Sequence, residues 1–160
     1  MATKENLLYM MRTNQAVMKQ LIDDVTEEES TVRGAEKFNH IRWLVGHILY
    51  SDNAALEMLG YKDEKYKEMA KLFGGGSEIS NDSGVYPSMS ELRRRIYDFH
   101  EKGIAFVEGL SQAALDKETD AWGKKQPVWQ LVSFLWMHEF YHAGQIVNVR
   151  KILGRKRPFG

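Results

Sequence analysis

From Leu7 onward, Leu7, Met11, Asn14, Met18, Leu21 and Val25 recur at alternating steps of four and three. Steps of that size return to one face of a helix of about 3.6 residues per turn, which predicts an amphipathic helix from about Lys4 to Asp24 packed on one side. Its Met and Leu positions read as core filler, since Met adapts to irregular gaps. Thr26-Glu27-Glu28-Glu29 has capping-box spacing and predicts a short helical turn before Gly34. A second helix is predicted from Asn39, as N-cap, to about Leu59, with Gly60 as its stop. His40, Trp43, Leu44, His47, Ser51, Ala54 and Met58 share one of its faces.

Between Tyr61 and Tyr86 the periodicity is lost. Charged residues from Lys62 to Glu68, then Gly74-Gly75-Gly76-Ser77 and Asn81-Asp82-Ser83-Gly84, read as a long mobile loop of the kind that serves as a lid, centred on residues 74–84. Pro87 and the Ser88-x-x-Glu91 box open a third helix to about Leu110, with Leu92, Ile96, Phe99, Gly103, Phe106 and Leu110 on its stripe. His100 lies beside that stripe and reads as a boundary or surface histidine. After a polar link, Ser111 to Gln126, Pro127 suits the first turn of a fourth helix and Gly154 its end. No run alternates with a period of two for long enough to predict a strand. Four amphipathic helices, with one short link and long links between helices 2–3 and 3–4, predict an all-α four-helix bundle in a single domain over residues 1–160.

Composition narrows what such a bundle can do. Lys and Arg total 22, as do Asp and Glu, so no overall field draws in nucleic acid or an anionic membrane. Arg150, Lys151, Arg155, Lys156 and Arg157 cluster at the C-terminus and read as a solvated last turn that suits the helix dipole. With no Cys there is no disulfide, no thiolate ligand and no cysteine nucleophile. The N-terminus is polar and no apolar run approaches the ~20 residues of a membrane span; the expectation is a soluble, cytoplasmic protein with a small-molecule substrate and no nucleic-acid or membrane partner.

The chemistry concentrates in the fourth helix. Leu131, Leu135, His138, His142, Gln145 and Val149 fall in one stripe, so two imidazoles one turn apart face the same interior as the leucines. Buried imidazoles need partners, because an uncompensated buried polar group costs on the order of a few kcal/mol, and a pair at i, i+4 has chelating spacing. His138-Glu139-x-x-His142 also spells the zincin signature, but no His, Asp or Glu follows His142 to supply a third ligand. A di-iron bundle requires two Glu-x-x-His pairs, and Glu139-x-x-His142 is the only one. The third ligand therefore comes from upstream. His40 and His47 stand about 10 Å apart along one helix, too far to share an ion; His47, mid-helix among Leu44 and Ile48, is the choice.

Trp43-Leu44-Val45-Gly46-His47, Tyr86-Pro87-Ser88, His138-Glu139-Phe140-Tyr141-His142-Ala143-Gly144-Gln145-Ile146 and Arg150-Lys151-Ile152-Leu153-Gly154 together resemble the DinB-like superfamily, metal-binding four-helix bundles that include the bacillithiol transferases and maleylpyruvate isomerase. The resemblance covers nearly the whole chain. It implies that His47, His138 and His142 bind one divalent metal. Three imidazoles with an open fourth position describe catalytic zinc, and nickel, iron or manganese also accept them; an ion so held makes water, or the thiol of a low-molecular-weight cosubstrate, a nucleophile. Glu139 is either the base beside that site or half of an interhelix ion pair. Gln145 is placed to orient a ligating His, with Tyr50 and Tyr141 on the pocket wall. The expected function is a metal-dependent hydrolase or thiol transferase, the alternative a non-catalytic metal-binding or stress-related module. Trp122, Trp129 and Trp136 are available for a homodimer surface.

Overall fold

The computed structural model describes residues 3–80 and 82–156, the side chains at 64 and 65 excepted. Four long helices form its frame: α1 (Lys4–Ile22), α2 (Ile41–Glu57), α3 (Met89–Gly109) and α4 (Val128–Ile152). α1 packs on α3 and α4, and α2 packs on the same two. The successive helices α1 and α2 thus stand across one diagonal of the bundle, and α3 and α4 across the other. The five stripe positions within α1, Asn14 included, are buried, as is Val25 just beyond its end.

Side-chain caps set the starts of α1, α2 and α3. Thr3 caps α1 by accepting from the Asn6 N–H. Thr26 and Glu29 complete the reciprocal capping box, each side chain accepting from the other's backbone N–H, and open the 3-10 turn Glu29–Thr31. α2 is capped by His40 rather than Asn39: His40 Nδ1 accepts from the Trp43 N–H at 3.0 Å, serving one of the donors a helix start leaves unpaired. Ser88 caps α3 through the Glu91 N–H at 3.1 Å. Glu27 adds an anion at that terminus, accepting from Met89 N–H and Ser90 N–H where the helix dipole favours negative charge, while Arg42 of α2 donates to the same carboxylate at 2.6 Å.

The two long links are more ordered than their composition predicts. Residues 61–86 hold the 3-10 segment Glu64–Met69, the short helix Ala70–Phe73 and the turn Ser83–Val85. Phe73 is fully buried, and Trp43 Nε1 donates to the Leu72 carbonyl at 3.0 Å, so apolar burial and an indole donor pin this segment to α2. The second link forms the short helix Gln112–Asp116 and an antiparallel hairpin of β1 (Glu118–Ala121) and β2 (Lys124–Pro127). Its two-residue loop, Trp122 and Gly123, has φ of 54° and 74°, the left-handed pair that a tight hairpin turn requires. The strands escape a periodicity search because they are four residues long and mostly polar.

Two further expectations are corrected. Arg150 is buried and bonds the Leu21 carbonyl and Asp24, and Arg155 pairs with Asp24 and Glu29; these two arginines anchor the end of α4 to the α1–α2 link, while Lys151 and Lys156 are exposed as expected. Arg157 falls outside the described residues. Trp136 is buried and Trp129 partly so, leaving Trp122 exposed. No described helix is long and apolar enough to cross a membrane.

Candidate metal centre

α2 and α4 pack together and bring His47 against His138 and His142. Ligand atoms of the three rings all lie within 4.8 Å of one another, and His138 Nε2 is 3.0 Å from His142 Nε2. The opposite nitrogen of each ring lies near an oxygen. His47 Nδ1 is 2.7 Å from the Phe73 carbonyl, His138 Nδ1 is 3.5 Å from Asp52 Oδ1, and His142 Nδ1 is 3.4 Å from Gln145 Oε1.

These oxygens assign the tautomers. An acceptor beside Nδ1 puts the proton there and leaves the lone pair on Nε2. Three lone pairs then face one point, and two of them at 3.0 Å repel unless a cation lies between. Zinc–nitrogen bonds of about 2.0–2.1 Å in tetrahedral array separate ligand nitrogens by about 3.3 Å, so the donor set and its spacing fit a divalent ion. Electrostatics favour the same state. Burial pushes the His142 imidazole down to about 4, with neighbouring His138 and His47 acting in the same direction. Burial also lowers His47, against the pull of the Phe73 carbonyl, and His138, against Glu139. Neutral imidazoles are the form that binds metal.

Aromatic rings frame the cluster. Trp43 stacks on His47 at 4.7 Å between centroids, Phe134 on His138 at 6.2 Å, and Tyr141 meets His142 edge-on at 5.0 Å. The His138 side chain is 20% exposed, which makes it the solvent side of the centre. Of the two tyrosines expected on the wall, Tyr141 is therefore in contact with a ligand ring, while Tyr50 packs on Tyr66.

Behind the histidines lies a buried polar group with one member from each helix: Asn14 (α1), Asp52 (α2), His100 (α3) and Glu139 (α4), all at most 4% exposed. Glu139 Oε1 is 2.9 Å from His100 Nε2, and Asn14 Nδ2 donates to the Trp136 carbonyl at 2.7 Å and lies 3.4 Å from Glu139 Oε2. Of the two roles left open for Glu139, the interhelix ion pair is the one its contacts make. His100 is fully buried, not at the surface. Burial opposes its charge, but Glu139 and then Asp52 outweigh that and hold its pKa above the ordinary value. Asp52 is held well above the usual carboxyl range by burial and by Glu139, with His100 opposing. Sequence periodicity missed Asp52, which sits one turn and a residue beyond His47 in a helix whose buried face is far wider than one stripe.

A four-helix bundle carrying a three-histidine cluster between α2 and α4 defines the class. The chain belongs to the DinB superfamily, whose family model matches residues 10–146. Among solved structures it is similar to a DinB-like protein from Bacillus cereus (19% identity, 98% of this chain and 96% of that one, TM-score 0.72). It is also similar to a DinB-like protein from Bacillus subtilis (19% identity, 96% of each chain, TM-score 0.69). A third similar structure is YfiT from Bacillus subtilis, described as a probable metal-dependent hydrolase with an unusual four-helix bundle topology (13% identity, 96% of this chain and 89% of that one, TM-score 0.69). No curated protein matches the sequence.

Proposed function

We propose that this protein is a divalent-metal-dependent enzyme acting on a small molecule, as a hydrolase or as a transferase that uses a low-molecular-weight thiol. The observation that carries the reading is the convergence of His47, His138 and His142, each with its Nδ1 near an oxygen. Bound there, zinc, or else nickel, iron or manganese, supplies Lewis acidity that makes water or a thiol nucleophilic near neutral pH. His47, His138 and His142 hold the ion, and the Phe73 carbonyl and Gln145 fix the ring orientations of His47 and His142. Trp43, Phe134 and Tyr141 frame the ligands and offer apolar surface to a substrate entering beside His138. With Glu139 engaged by His100, the role of base falls outside that side chain. The absence of Cys is consistent with a borrowed thiol, the likeness to YfiT with hydrolysis, and a cytoplasmic setting with both.

A homodimer accompanies this reading. Tyr9, Met137 and Phe140 leave large apolar side chains exposed on α1 and α4, a surface suited to a second copy of the same face.

The experiment is metal content by mass spectrometry on untagged protein, wild type beside His47→Ala and His142→Ala, followed by a panel of esters, amides and thiol–electrophile pairs. About one equivalent of transition metal lost in both variants, with saturable turnover that His142→Ala abolishes, supports the enzyme. Metal binding without turnover across the panel moves the protein to the non-catalytic module.

A further inference from the structure

Asp52 is the one member of the central polar group that the metal-centre chemistry leaves unexplained. It is completely buried, and neither carboxylate oxygen has a hydrogen-bond partner among the described residues. An uncompensated buried carboxyl costs a fold several kcal/mol, so the position calls for a compensating role. Its nearest ring nitrogen is His138 Nδ1, at 3.5 Å. That ring presents its other nitrogen to His142 at 3.0 Å. Glu139 and His100 interact with Asp52 electrostatically, and these two are held to each other at 2.9 Å.

We infer that Asp52 is the positioning residue of the metal centre: it accepts the Nδ1 proton of His138 and so aims Nε2 at the ion. The inference rests on the metal-centre reading above and concerns a residue that touches no substrate. His47 has a backbone carbonyl in this role and His142 a neutral amide; His138 alone has an acid. When an ion draws electron density from the imidazole, the Nδ1–H becomes a stronger donor, so the contact to Asp52 tightens with metal bound. The carboxyl that is poorly served in the free protein is then served in the loaded one.

The test compares Asp52→Asn and Asp52→Ala with wild type by cobalt(II) titration, read in the visible absorption of the bound ion, and by urea unfolding of the metal-free proteins. Losing an outer partner of a ligating His weakens metal binding by about 10–100-fold. Asp52→Ala falls in that range, and Asp52→Asn falls less because its amide oxygen still accepts. At saturation the absorption bands of Asp52→Ala shift as the ring turns. Metal-free Asp52→Asn unfolds at a urea concentration no lower than wild type, because a poorly compensated buried carboxyl has been removed. A purely structural Asp52 instead lowers stability and affinity together. Wild-type affinity in Asp52→Ala, or a parallel fall of both quantities in Asp52→Asn, overturns the inference and leaves the three-histidine site standing. Failure of the wild-type protein to take up cobalt overturns both.

Discussion

Gly46 lies flat against the ring of Phe73, so closely that a methyl group at position 46 would overlap it. The same Phe73 offers its carbonyl to His47 Nδ1 at 2.7 Å. One contact thereby joins the packing of residues 61–86 to the aim of a metal ligand. Gly46→Ala is expected to cost about 1–3 kcal/mol through overpacking and to weaken metal binding as well, because the displaced Phe73 carries its carbonyl away. Urea unfolding and a zinc competition titration read the two effects; loss of stability with wild-type metal affinity would uncouple them.

The buried His100–Glu139 pair predicts a stability effect. Removing one partner of a buried ion pair leaves the other uncompensated, at about 3–5 kcal/mol. Glu139→Ala and His100→Ala are each expected to be strongly destabilising, and the double variant less so than their sum, with a coupling of about 0.5–3 kcal/mol. Equilibrium unfolding of the four proteins closes the cycle. If Glu139→Ala kept its stability and lost only turnover, Glu139 would regain the part of a catalytic base.

Acid should loosen the metal-free protein. Burial, aided by Arg33 and Arg42, holds His40 down at about 4, and His142 sits at the same level, whereas both titrate near 6.5 when unfolded. Between those values the unfolded chain binds more protons than the folded one, so stability falls as pH drops from about 6.5 toward 4. Denaturation midpoints at pH 7.5, 6 and 5 trace that decline, and His40→Gln makes it shallower. Asp24 is lowered by Arg150, and Glu27, against the opposing effect of burial, by the α3 N–H groups, so their contribution is lost only further into acid. Metal affinity depends on the folded-state imidazoles alone: burial lowers all three, His142 to about 4, so affinity persists below the 6.5 of a free imidazole and is lost as pH approaches 4.

Zinc or nickel at a hundred times its dissociation constant is expected to add about 2.7 kcal/mol of stability through binding to the folded state alone. Thermal unfolding with and without the ion checks this, and His142→Ala should erase the shift. An equal shift in that variant would place the ion elsewhere.

What the sequence disclosed and what it withheld divide along physical lines. The stripes of α1 and α4, and the i, i+4 register of His138 and His142, follow from helical geometry and were legible. His47 was legible because an ionisable ring in mid-helix among leucines has few other uses. His100 and Asp52 were not, since a polar residue beside a stripe reads as surface until a diagonal partner covers it, and Glu139 and His100 meet only through tertiary packing. The 61–86 segment misled for the opposite reason: its glycines and charges are those of a loop, and the order comes from Phe73 and the Trp43 indole, long-range contacts that composition does not encode. His40 took the cap from Asn39 because an imidazole can accept as an amide does.

The histidine cluster joins positions about ninety residues apart in the chain. An ion gripping all three rings would therefore act as a removable cross-link, closing a loop that embraces α3 and the hairpin as well as most of α2 and the first half of α4. Because closure entropy grows only with the logarithm of loop length, so wide a ring restrains an opened chain nearly as cheaply as a small one. Chelation should then hold the two ends of that loop together, making the stability of the native state a readout of metal supply.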